Sequence, residues 1–148
     1  MRTVSKNLLS IVILVSCCQG AEEIAGCIKM ATAGAMVVRA GQELPATEGM
    51  HLLPNDVLRT SANGRLSAIL QDGTGIGLGP STELKIDSFL YQPAEGKLAL
   101  VLRLFRGVMA YFSGRIAKLA PGSVTVETPV GVLGLRGTHV AVSLGGVQ

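Results

Sequence analysis

Leu98, Leu100, Leu102 and Leu104 recur at every second position, with Ala99, Val101, Arg103 and Phe105 between them. A period of two sustained over this stretch puts the leucines on one face of a strand and rules out a helical stripe. Gly107 breaks the run, after which Val108, Ala110 and Phe112 continue on one face. The same alternation appears at Leu66, Ala68 and Leu70, at Thr74, Ile76 and Leu78, and at Val124, Val126 and Thr128. It returns at Thr138, Val140 and Val142 against His139, Ala141 and Ser143. Short runs at 36–39, 57–60 and 84–87 predict further strands, the first of them 36–39. The fold class expected is all-β, with short strands and tight turns in a solenoid-like or sandwich arrangement.

Turn chemistry separates these strands. Pro54, Asn55 and Asp56 are turn formers, and Asn55 tolerates the left-handed conformation. Asp72-Gly73 predicts a type I′ hairpin, which needs positive φ at both central residues. Gly75, Gly77 and Gly79 leave one face of the returning strand without side chains, so that face is bare or closely packed. Residues 89–97 and 113–122 read as loops, and 21–33 as a linker or a short helical turn.

The stretch 124–142, VTVETPVGVLGLRGTHVAV, reads as strand, Gly-rich crossing, strand. Pro129 cannot donate to a ladder and ends the first strand or sits on an edge. Gly131, Gly134 and Gly137 then form either a hairpin with a loose loop or a tight corner where two backbones approach. The apolar bulk of Val132, Leu135 and Val140 around them favours the corner.

The N-terminus changes what the charge means. Arg2 and Lys6 precede a short apolar run, LLSIVILV, at 8–15, the organisation of an export signal. The run is too short to span a bilayer. Two processing routes stay open. Leu14-Val15-Ser16-Cys17 resembles a lipobox, in which Cys17 is lipidated and becomes the mature N-terminus, while Cys18-Gln19-Gly20 before Ala21 suits an ordinary cleavage site. The expected organisation is a signal peptide at 1–20, a linker at 21–33 and one domain at 34–148. The 13 basic and 10 acidic residues give a formal +3, and removing Arg2 and Lys6 lowers it to +1. No basic excess then remains to hold phosphates, so nucleic acid is not an expected partner.

Composition narrows the chemistry further. Aromatic residues make up 3% of the chain, and there is no Trp. Stacking platforms for single strands or sugars are therefore scarce. Of Cys17, Cys18 and Cys27, cleavage after Gly20 leaves Cys27 alone, whereas lipidation at Cys17 leaves Cys18 and Cys27 to pair in an oxidising envelope. No CxxC pair and no His cluster occurs, so no metal or cofactor is expected. The Gly75–Gly79 run is a poor phosphate loop, because Pro80 leads into another strand and not into a helix. His51 and His139 are read as solvated, and Asp56, Asp72 and Asp87 as turn-capping residues.

The run Glu127-Thr128-Pro129-Val130-Gly131-Val132-Leu133-Gly134-Leu135-Arg136-Gly137-Thr138 resembles the closing motif of the FecR-type domain, "TP-x-G-x-x-G-x-RGT". Three earlier pieces resemble the same family in the same order. They are the turn and strand 55–60, with Asn55 where a glycine is usual, the hairpin around Asp72 and Gly73, and the segment 102–108 containing Gly107. Together they cover roughly 34–144.

The resemblance implies an all-β fold of solenoid-like coiled strands, a periplasmic setting and signalling partners. It marks Asp72, Gly73, Gly107, Thr128, Pro129, Gly131, Gly134, Arg136, Gly137 and Thr138 as motif positions of structural value. Arg59, Arg106 and Arg136 also occupy motif positions and read as exposed or turn-bonding. Regulators of this family carry a cytoplasmic domain and a membrane span before the periplasmic region. Only residues 1–6 precede the apolar run here, so this chain is not expected to hold a sigma factor. The function expected is a non-enzymatic envelope module that binds a protein or cell-wall component. The alternatives are an envelope glycan-acting enzyme, which needs convergent carboxylates in a cleft, and a structural module whose sheet edges recruit other strands.

Overall fold

Residue 105 decides the shape of the molecule. In the computed structural model, which describes residues 23–136 and 139–145, the chain forms twelve strands in one curled sheet. These are β1 (Gly26–Ala31), β2 (Ala35–Arg39), β3 (Gln42–Pro45), β4 (His51–Leu52), β5 (Val57–Thr60), β6 (Leu66–Leu70), β7 (Gly75–Leu78), β8 (Glu83–Gln92), β9 (Lys97–Phe112), β10 (Val124–Thr128), β11 (Gly131–Gly134) and β12 (His139–Leu144). One short helix, α1 (Arg115–Leu119), follows β9. The all-β class read from the sequence is the one observed.

Along the sheet the order is β3-β2-β5-β8-β9-β7-β6-β1-β4, with β10 and β12 on the free side of β9 and β11 on β10. Pairing is antiparallel except between β9 and β10. The first part of β9 lies between β8 and β10, and its last residues between β7 and β12. β9 thus belongs to both halves of the curl, and one core cluster draws on both.

At the bend, Leu84 pairs with Leu104 but Glu83 pairs with Arg106, so Phe105 is the extra residue of a β-bulge. One extra residue flips every later side chain to the other face. Leu100, Leu102 and Leu104 are buried before it, Met109 and Tyr111 after it. Val108, Ala110 and Phe112 do share a face, and it is the outer one. Gly107 follows at φ 91°. A Cβ there would lie 2.5 Å from the Thr82 Cα, so only glycine lets the bent strand meet the β7–β8 connection.

Several boundaries differ from the sequence reading. Residues 21–33 are not only a linker: β1 lies within them, paired with β4 and β6, and buries Ile28. Gly-Cys-Ile-Lys-Met-Ala is too short an alternation to stand out without its partners. β3, also unforeseen, returns from β2 through Ala40-Gly41, both at positive φ. The type I′ geometry therefore occurs there.

The Asp72-Gly73 hairpin is a three-residue loop instead. Leu70 N–H donates to Thr74 O at 2.8 Å, and of the central residues only Gly73 has positive φ, at 88°. The expected type I′ turn is not formed, because Asp72 uses its carboxylate to cap the loop. The loop expected at 89–97 shrinks to a 3-10 turn, Pro93–Glu95, since β8 runs on to Gln92 and buries Phe89. The loop expected at 113–122 contains α1, which plants Ile116 in the core.

Candidate functional site

The two halves of the sheet turn very different outer faces to solvent. On the half built from β2, β3, β5, β8, the start of β9 and β10, the face is laced by ion pairs across strands. Arg59 reaches Glu43 at 3.0 Å and Glu83 at 3.5 Å, and Arg106 reaches Glu83 at 3.6 Å. Arg103 holds Glu127 at 2.8 Å and Asp87 at 3.7 Å, and Lys85 lies 3.5 Å from Asp87. The hydrogen bond to Glu127 first, and the charge of Asp87 second, hold the Arg103 guanidinium above its ordinary pKa. These charges satisfy one another.

The other half, from β4, β1, β6, β7, the end of β9 and β12, is built of small and apolar residues. Cross-strand register sets His51, Cys27, Ile69, Gly75, Phe112 and His139 in one row across its strands. A parallel row of Ser67, Gly77, Ala110 and Ala141 lies beside it. Phe112 folds over Gly75, where a Cβ would lie 3.2 Å from its ring, and meets His139 edge-on at 4.9 Å between centroids. The glycine face of β7 is therefore covered at one end by an aromatic ring and flat along the rest. Ile69, Val108 and Phe112 remain 41%, 43% and 45% exposed. At the β1 end the row opens into a shallow groove of about 340 Å³ lined by Ile24, Cys27, Lys29, His51, Ile69 and Gln71.

The FecR protein family model matches residues 56–147. The chain belongs to the FecR family. No match to a curated protein or to a solved structure reaches significance. The family match begins at Asp56, so β1 to β4 precede it, including the strand that carries Cys27 and the residue His51.

Within this FecR domain the described motif residues fall into three places, and none of these lines the apolar face. Asp72 is buried and caps two elements. Its carboxylate accepts from Thr74 N at 3.0 Å, from Thr74 Oγ1 at 2.7 Å and from Ile116 N at 3.1 Å. Gly73 supplies the positive φ beside it, and Gly107 makes the bend in β9.

The closing motif is a hairpin. Thr128 and Pro129 end β10, Thr128 Oγ1 donates to Gly131 O at 2.9 Å, and β11 returns antiparallel. The tight corner does not occur at Gly131 or Gly134, where a Cβ would meet nothing within 4 Å. Val132 and Leu133 point to solvent, and Val130 is 86% exposed. Leu135 is buried and Val140 partly so, but the apolar residues of the hairpin itself are exposed, so Gly131 and Gly134 belong to an open hairpin and not to a packed crossing. Arg136 is exposed; Gly137, Thr138, Cys17 and Cys18 lie outside the described residues, and with Cys18 the Cys18–Cys27 pairing.

The remaining polar candidates are structural. Asp56 caps its turn by accepting Leu53 N–H at 2.9 Å and is held by Arg39 at 2.7 Å. Asn55 takes φ 74°, the left-handed value its family position calls for. Asp87 lies inside β8, in the charge network, and not at a turn. His51 and His139 are both exposed. The residues of the apolar face that sequence reasoning passed over are Ile69, Val108, Ala110 and Phe112. Their one signal was the side-chain-free face of β7, whose neighbours only the register identifies.

Proposed function

We propose that this FecR domain is a non-enzymatic, signalling-associated binding module of the cell envelope, exported by its N-terminal segment and engaging another protein through the outer face of β6, β7, β9 and β12. The observation that carries the reading is the contrast between the two outer faces. One neutralises its own charges, while the other presents small and apolar residues around Ile69, Phe112 and His139, with Lys29 at its β1 end. Contiguous apolar surface rimmed by polar groups is the form protein interfaces take. The buried carboxylates give no support to a hydrolytic reading, since Asp56 and Asp72 spend their oxygens on local hydrogen bonds.

The test is capture from envelope extracts by the wild-type protein, by Ile69→Asp and Phe112→Asp variants, and by Lys85→Ala on the charged face. A protein retained by the wild type and by Lys85→Ala but lost from both apolar-face variants supports the proposal. Equal capture by all of them, or release of sugars from envelope glycan by the purified protein, overturns it.

A further inference from the structure

Every open sheet must end, and a sheet edge exposes unpaired N–H and C=O groups that accept another strand. Most edges of this sheet are blunted. β3 carries Glu43 and ends in Pro45, which has no N–H to offer. β4 is two residues long. β11 is four residues long and bounded by Gly131 and Gly134.

β12 differs from all of these. It has six residues, HVAVSL, with no Lys, Arg, Asp, Glu or Pro. It pairs with β9 on one side, and among the described residues no strand pairs with the other. Its side chains separate cleanly. Val140, Val142 and Leu144 face the core, with Val140 and Leu144 only partly covered, while His139, Ala141 and Ser143 face out.

We infer that β12 is a self-association edge, and that two copies of this chain pair antiparallel through it to continue the sheet across a two-fold axis. The strand is its own complement. With Ala141 opposite the partner's Ala141, Val140 meets the partner's Val142 and His139 meets the partner's Ser143. Core-side valines then cover each other, small residues meet on the outer face, and no like charges are opposed. The half-covered Val140 gains the apolar neighbour that the monomer lacks. The inference goes beyond the proposed function, because it concerns the backbone edge of β12 and needs no second protein. A six-residue strand pair buries less than a standard interface, so the association expected is weak and concentration-dependent.

Sedimentation equilibrium on the purified protein, up to about 500 µM, tests this. The wild type is expected to form dimers. Ala141→Lys and Ala141→Glu each set like charges against each other at the axis and weaken dimerisation by about tenfold or more. An equimolar mixture of the two variants restores it as a heterodimer. If either variant fails to fold, the double variants His139→Lys/Ser143→Lys and His139→Glu/Ser143→Glu repeat the test, since each opposes like charges at both ends of the pair and their mixture opposes unlike ones.

A wild type that stays monomeric overturns the inference, as does a dimer indifferent to charge at position 141 or a mixture that does not recover. Loss of the dimer with Val132→Lys alone would place the contact on β11 and overturn it equally.

Discussion

The Thr82 hydroxyl accepts the Val108 N–H at 3.0 Å, one residue beyond the glycine that lets β9 bend against it. Thr82 is fully buried, and its own N–H donates to Thr60 Oγ1 at 2.9 Å. Two threonines thus close the corner where the two halves of the sheet share one strand.

Gly107→Ala should be among the most damaging single substitutions in the chain. Its Cβ would collide with Thr82 while φ sits at 91°. A loss of about 2–4 kcal/mol is expected from strain and overpacking together. Chemical denaturation checks it, and a midpoint unchanged from wild type would show that the bend needs no glycine.

Asp72 joins the β6–β7 loop to α1, 44 residues away in sequence. Asp72→Ala leaves the Thr74 and Ile116 donors without an acceptor inside the protein and should cost about 2–4 kcal/mol. Gly73→Val should cost about 1 kcal/mol or more through its φ of 88° alone, since nothing lies within 4 Å of its would-be Cβ. A smaller effect for Asp72→Ala than for Gly73→Val, measured by thermal melting, would mean that the cap is dispensable.

Tyr111 is fully buried, and among the described residues its hydroxyl has no hydrogen-bond partner. Tyr111→Phe removes that unsatisfied group and should leave stability equal or raise it by about 1 kcal/mol. Burial first, and the charge of Asp72 second, push the phenol above its ordinary pKa of 10.0. The folded state therefore keeps the proton that the unfolded chain releases. Its stabilising contribution is complete below pH 10 and is lost as pH rises beyond it. Melts between pH 9 and pH 11 should show the wild type losing stability with a steeper slope than Tyr111→Phe.

Gly134→Ala should change stability by no more than about 0.5 kcal/mol, and in the stabilising direction if at all, because the position is open and carries no positive φ. Deleting residues 138–148, in contrast, removes β12, the buried Val142 and the cover of β9. The truncated chain should lose its single sharp thermal transition.

Much of the local organisation was legible in the residues. Alternation at 98–104, 66–70, 124–128 and 138–142 marked strands, Asn55 marked a left-handed turn, and the motif from Thr128 to Thr138 marked the family. Those features depend on near neighbours, and near neighbours are what a sequence lists.

The apolar face was not legible as a site, for a physical reason. A period of two says that a strand has two faces but not which of them is inside. For β9 the answer changes midway, because one bulged residue opposite β8 turns Phe112 outward and Tyr111 inward. Gly131 and Gly134 show the same limit from the other side, since a glycine's need for space or for positive φ depends on whatever packs against it. The sequence determined most of the strands, the left-handed turn at Asn55 and the family. Tertiary structure alone decided which side of each strand became core, which edge stayed open and which surface was left for a partner, because those depend on pairings between residues far apart in the chain.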